Sequence, residues 1–202
     1  MCSRSKVGRP REHSTDAILD AARSLALEQG ARAATAEAIS ARSGASIGSL
    51  YNRFGSRDAI LAAVWERALG RFQGPFVEAL RGEDVRACAL AAAAWIVRFA
   101  RTESEDARLL AAFRPEDVLT DPGSPAAQRL GSGNAAILGA LRDLAAHAGG
   151  RPRRRTLELL TLAVVDLPGG AIRRRLLAGE PIPASLEADV SAAVAAVLDR
   201  VR

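Results

Sequence analysis

A chain of 202 residues with 49% hydrophobic content has length and apolar mass enough for one ordinary folded domain plus a small second one. Its longest apolar runs, 87–97 and 157–165, fall short of the about 20 residues that a membrane span needs, and the N-terminus MCSRSKVGRPREHS offers no apolar leader, so a soluble, cytoplasmic protein is expected. A net charge of +5, with Lys6 the only lysine among 28 basic residues, suits a polyanion partner but equally a membrane surface or a solvated face.

Composition also sets the fold class. Aromatic residues make up only 4% of the chain, alanine is abundant and strand signals are almost absent. An all-α fold is therefore predicted, with helices approaching closely over small side chains. Cys2 and Cys88 are far apart and read as free thiols. His13 and His147 are isolated, and no C-x-x-C, H-x-x-x-H or carboxylate cluster has ligand spacing, so neither a metal nor a cofactor is expected.

Residues 1–13 lack periodicity, contain Gly8 and Pro10, and carry Arg4, Lys6, Arg9 and Arg11 against the single acid Glu12. They predict a disordered basic arm. Gly8-Arg9-Pro10-Arg11 resembles arms that lay arginines in a narrow minor groove; a solubilising tail is the other reading. Ser14 or Thr15 caps a first helix to about Gln29, with Ile18, Ala21, Ala22, Leu25 and Ala26 on one stripe and Gly30 as its stop.

The run from Thr35 to Ile60, TAEAISARSGASIGSLYNRFGSRDAI, predicts two short helices joined by a tight turn and followed by a third. Thr35 caps the first, Glu37 suits its dipole, and Gly44 ends it. Ser46 caps the second, in which Ile47, Leu50 and Phe54 form an inward apolar stripe. Gly48, Ser49, Asn52 and Arg53 are left on the outer face, small at its start and able to hydrogen-bond further along. That pattern is a helix-turn-helix suited to base edges in a major groove. Gly55 closes the helix, and Ser56 caps a long one reaching about Phe72, where Gly74-Pro75 follows.

Beyond Pro75, helical periodicity predicts helices near 75–81, 84–101, 104–113, 124–147, 152–178 and 185–201, separated by glycine and proline breakers. Pro168-Gly169-Gly170 predicts a kink or break in the fifth of these. Gly131-Ser132-Gly133-Asn134-Ala135-Ala136 matches a G-x-G-x-x-A string, but no strand precedes it, so it reads as a helix start. The clusters Arg151, Arg153–Arg155 and Arg173–Arg175 read as solvated faces, with nucleic-acid binding as the alternative.

Ile39, Gly44, Ser46, Ile47, Gly48, Leu50, Tyr51, Phe54, Ser56, Arg57 and Asp58, with the preceding helix Ile18-Leu19-Asp20-Ala21-Ala22, resemble the DNA-binding domain of TetR-type transcriptional regulators. The resemblance covers about residues 12–60, and Leu-Tyr-x-x-Phe-x-Ser-Arg-Asp is its most specific part. It implies a division into the arm at 1–13, a helix-turn-helix DNA-binding domain at 14–56, and a helical effector-binding and dimerisation domain at 57–202. By that likeness Thr35, Tyr51 and Arg57 are phosphate clamps, and two of them sit at helix N-termini, where an anion is favoured. For Tyr51, packing of the ring under the helix is the alternative. Base reading falls to Ser46, Gly48, Ser49, Asn52 and Arg53, with Arg9 and Arg11 reaching the adjacent groove.

A helix this short reads only a few base pairs, so two copies on a pseudo-palindrome are expected. Leu157, Leu160, Val164 and Leu167, with Leu186, Val190, Val194, Val197 and Leu198, are the candidate homodimer surface, an internal core being the other assignment. The resemblance also implies a small-molecule pocket, for which Trp65, Phe72, Phe76, Trp95, Phe99 and Phe113 are candidate lining residues and core packing the alternative. Asp166 lies in an apolar run and needs a partner, an exposed face or a polar ligand. The leading expectation is a homodimeric repressor of double-stranded DNA, released from its operator by a small molecule. The alternatives are a helical activator or architectural factor without an effector, and an all-α ligand carrier or enzyme, for which the sequence supplies no catalytic constellation.

Overall fold

The computed structural model describes residues 14–113, 134–148 and 153–201, and among these there are helices and no strand. The arm with Arg9 and Arg11, the start of the helix expected from 124, the glycines at 131 and 133, and Arg151 lie outside the described residues.

Three helices build the N-terminal core: α1 (Thr15–Gln29), α2 (Ala36–Ser43) and α3 (Ile47–Phe54). A short 3-10 turn, Ala31–Ala33, links the first two. The expected caps are all in place. Ser14 Oγ accepts from Ala17 N at 3.1 Å, Thr35 Oγ1 from Ala38 N at 3.2 Å, Ser46 Oγ from Ser49 N at 3.2 Å and Ser56 Oγ from Ala59 N at 3.1 Å. Each satisfies one of the backbone N–H groups that a helix start leaves open. Ile18, Ala22, Ile39 and Leu50 are sealed from solvent at the centre.

The next helix, α4 (Arg57–Ala79), is longer than expected, because it runs through Gly74-Pro75 instead of stopping near Phe72. Proline cannot donate to the Arg71 carbonyl four residues back and its ring crowds it. One residue further on, the indole N–H of Trp95 donates to the Phe72 carbonyl at 3.0 Å, so a neighbouring helix supports the turn that the proline weakens. At 23 residues α4 extends about 35 Å, at 1.5 Å per residue. Its first half, with Ile60, Leu61, Val64 and Ala68, belongs to the N-terminal core, and its second half, with Phe76 and, just past its end, Leu80, to the C-terminal one.

The C-terminal core is made with α5 (Val85–Thr102), α6 (Ser104–Ala112), α7 (Asn134–His147), α8 (Arg154–Thr161), α9 (Leu167–Ala178) and α10 (Leu186–Leu198). Alanines dominate where α5 crosses its neighbours: Ala89, Ala92, Ala93 and Ala100 have no exposed surface. The break expected at Pro168-Gly169-Gly170 takes another form. The chain stays helical, and the distortion is a π turn at Leu162–Asp166, just upstream. In an ideal helix the Pro168 ring would collide with the Val164 carbonyl; the widened turn, in which Leu167 N donates to the Leu162 carbonyl five residues back, absorbs the misfit.

Of the residues expected to face a twin subunit, Leu160, Val164, Val190, Val194 and Leu198 are interior to a single protomer, and Leu157, Leu167, Leu186 and Val197 pack half-buried against that interior. Among the described residues, no helix is long and apolar enough to cross a membrane, and no cluster of three metal-ligating side chains occurs. Cys88 is a buried free thiol that donates to the Arg81 carbonyl at 3.4 Å, and burial, then the charge of Asp84, raises its pKa.

Candidate nucleic-acid interface

The turn between α2 and α3 is fixed by its own short side chains. Gly44 adopts the left-handed conformation (φ 75°), which a residue with a Cβ rarely takes. The Ser40 hydroxyl donates to the Ala45 carbonyl at 2.7 Å, and Ala45 N donates to Ser43 Oγ at 3.3 Å. Leu50, fully buried, anchors α3 against the other helices.

With Leu50 inward, Ser46, Ile47, Gly48, Tyr51 and Asn52 face solvent, and Ser49, Arg53 and Phe54 are half-buried. Tyr51 exposes 46% of its surface, so its ring is not tucked beneath the helix. Ile47 departs from the expected inward stripe: at the first position of α3 it sits at the rim and is 38% exposed. Exposed beside Gly48 and Tyr51, it offers an apolar group of the kind that meets a thymine methyl. The sequence pattern missed it because periodicity reports the side of a helix and not how far its first turn projects. A Cβ built on Gly48 would meet nothing within 4 Å, so packing inside the protein does not require glycine there.

Thr35, exposed at the start of α2, is available to a phosphate. Arg57 is drawn inward. Its Nε donates to the Ala34 carbonyl at 3.1 Å, a second nitrogen bonds the Ala31 carbonyl, and a third pairs with Asp58 at 2.9 Å. These bonds tie α4 to the segment that presents Thr35. Arg53 donates to Thr15 Oγ1 at 3.4 Å, linking α3 to the first helix.

A second constellation lies where the two cores meet. Asp106, only 1% exposed in the first turn of α6, pairs with Arg23 of α1 and, at 2.9 Å, with Arg71 of α4. Arg23 also meets Glu105 and Asp20. Arg67 of α4 bonds Asp16 at 3.0 Å and Asp20 at 2.6 Å. Burial lowers the Arg23 pKa, but the hydrogen bond and charge of Asp106, with Glu105 and Asp20, outweigh it, so the net shift is upward. Nothing local in the sequence marks this cluster, because its partners are separated by up to 83 positions.

The same α6 contributes Leu109 to the N-terminal core and Ala107 to the C-terminal one. Its other side borders a cavity of about 420 Å³, walled by Phe72, Ile96, Phe99, Leu110, Ile172 and Leu176, with Asp166, Gly169, Gly170 and Arg173 also on the lining. Of the expected pocket residues, Phe72, Phe99 and Asp166 are there. Phe76 is buried in the core and stacks on Phe72, Trp95 packs beside Phe99, Phe113 packs on the N-terminal core, and Trp65 is half-buried away from the lining. Asp166 takes the exposed option among those open to it. Of the arginine clusters, Arg153–Arg155, Arg173 and Arg174 are exposed and Arg175 is half-buried; Arg154 and Arg155 pair with Glu158, and Arg174 and Arg175 with Glu180.

Residues 18–64 match the model of bacterial regulatory proteins of the tetR family. The sequence matches no curated protein. Among solved structures, the fold resembles the fatty acid degradation regulator FadR from Bacillus halodurans, with a TM-score of 0.67 and 15% identity, over 90% of this chain and 98% of that one. It resembles a TetR-like transcriptional regulator from Rhodococcus sp. RHA1 with a TM-score of 0.65 and 20% identity, over 93% of this chain and 96% of that one. A further transcriptional regulator from that Rhodococcus aligns with a TM-score of 0.62 and 17% identity, over 93% of this chain and 95% of the other. A DNA-binding segment of the tetR family at 18–64 is thus set in an all-helical fold that resembles those of the regulators named above.

Proposed function

We propose that the protein is a homodimeric repressor that holds a palindromic operator and lets go when a small molecule fills the cavity beside α6. The observation that carries this reading is the dual membership of α6: one turn is paired through Asp106 to α1, which packs in the N-terminal core, and to α4, and the next turns wall the cavity. A ligand that favours one placement of α6 therefore biases the placement of α1 and α4, and it shifts the equilibrium by its difference in affinity for the two.

In this reading residues 14–56 form the reading head, and 57–202 the effector and dimerisation body. Thr35, Tyr51 and the N-terminus of α4 at Arg57 grip phosphates; Ser46, Gly48, Ser49, Asn52 and Arg53 approach base edges; Arg9 and Arg11 enter the neighbouring minor groove. The dimer surface uses the outer sides of α8 to α10, where Leu162 is 38% exposed and Ala188, Ala192 and Ala196 leave room for close helix approach. The protein works among nucleic acid, in the cytoplasm, without a cofactor.

Selection of bound duplexes from a random pool by the purified protein tests this. The expected product is an inverted repeat with half-site centres about 34–36 Å apart. Enrichment of a single half-site without symmetry, or of no sequence at all, would overturn the homodimeric repressor.

A further inference from the structure

The charge balance at the cavity points to the kind of molecule it takes. Its walls are aromatic and aliphatic, and two ionisable groups stand among them, Asp166 and Arg173. They are not equivalent. Arg173 is spent, in part, on the protein itself, since its guanidinium donates to the Ala111 carbonyl at 3.1 Å in the last turn of α6, where the negative end of the helix dipole also holds it. Asp166 has no hydrogen-bond or ion-pair partner among the described residues. Its place in the fold explains why it reaches the cavity. It ends the π turn forced by Pro168, and Gly169 and Gly170, which follow, have no side chains to screen it.

We infer that the effector is a compact apolar molecule with a single cationic or hydrogen-bond-donating head, its body against Phe72, Phe99 and Ile172 and its head against Asp166. This rests on the reading of the cavity as the effector site. At about 30 Å³ per water in the liquid, the cavity of about 420 Å³ has the room of about fourteen waters. That admits a ring system or a chain of eight carbons with its head group, and burial of such a body supplies the affinity while the carboxylate selects the head. An anionic molecule of the same shape meets the unpaired carboxylate at the mouth and is disfavoured.

Octylamine, octanol and octanoate share one body and differ in the head, so calorimetric titration of the full chain with each, in the absence of DNA, reads the preference directly. Octylamine is expected to bind at least tenfold more tightly than octanoate, with octanol between. Asp166→Asn, at an exposed position where folding is not at stake, is expected to bring octylamine down to the octanol level and leave octanol unchanged. Widening of the cavity wall by Ile172→Ala is expected to weaken all three. Tighter binding of octanoate would assign the head site to Arg173 and overturn the inference. Equal binding of the three, an unaltered preference in Asp166→Asn, or no binding of any would overturn it as well. Because DNA is absent, these outcomes are separate from failure of the operator reading: amine binding that leaves a selected operator complex intact sinks the release mechanism and not the ligand class.

Discussion

Gly48 shows what a single position says about function when packing is set aside. A helix gains from replacing glycine by alanine, by up to about 1 kcal/mol in an interior turn, and here the added methyl meets open space. Gly48→Ala is therefore expected to raise the midpoint of chemical denaturation slightly while weakening duplex binding by about tenfold, about 1.4 kcal/mol. Denaturation and fluorescence anisotropy, run on the same preparation, check both halves. A variant that is stabilised and binds DNA normally would remove Gly48 from the interface. At this scale the sequence was a good guide where a residue acts through its own backbone: the four capping hydroxyls and Gly44 are where a local reading puts them. It was a poor guide for Ile47, because exposure at a helix rim depends on neighbours brought in by the fold, and it gave no sign of the carbonyls of Ala31 and Ala34 that Arg57 meets.

Helices in this protein meet through ion pairs as well as alanine, and the α5–α10 contact is the simplest case. Glu187, in the first turn of α10, accepts from Arg98 at 3.0 Å and Arg101 at 3.2 Å. The Arg98 hydrogen bond holds its carboxyl below the ordinary glutamate value, with burial opposing and the charges of both arginines assisting. A depressed folded pKa contributes stability above the unfolded value, about 4.3, and that contribution is lost as pH falls through the folded one. Glu187→Gln is expected to cost less than about 1 kcal/mol at neutral pH, since the pair is partly solvated, and the gap to the parent should narrow as pH falls below the ordinary glutamate value towards the lower folded one. Urea denaturation at pH 7 and at a series of falling pH values checks it; a gap of undiminished size across the series would assign the loss to packing. Helix ends marked by a capping hydroxyl or a glycine were legible, and those expected at proline were not. Pro75 reads as a stop, yet α4 continues because Trp95, twenty positions on, supports the turn; Pro168 reads as a break, yet an upstream π turn takes up its misfit.

At the scale of the molecule, Asp106 is the buried ionic joint between two cores that α4 also spans. It is buried between Arg23 and Arg71, and removing its charge leaves those cations without their inner partner, a loss of about 3 kcal/mol for a buried pair. Asp106→Asn is expected to turn one calorimetric unfolding transition into two, the N-terminal core melting first. A single transition at the parental temperature would show that apolar contacts through Leu109 suffice. None of this joint was readable in the sequence, since arginine and aspartate on helices so far apart carry no mark of their pairing until the chain is folded.

The Trp95 indole sits at a crossroads: it supports the proline notch in the longest helix and leans on Phe99, which lines the cavity. One of only two tryptophans in the chain, it gives the molecule a built-in optical gauge, whose emission responds when the notch straightens or the cavity fills, with no label attached.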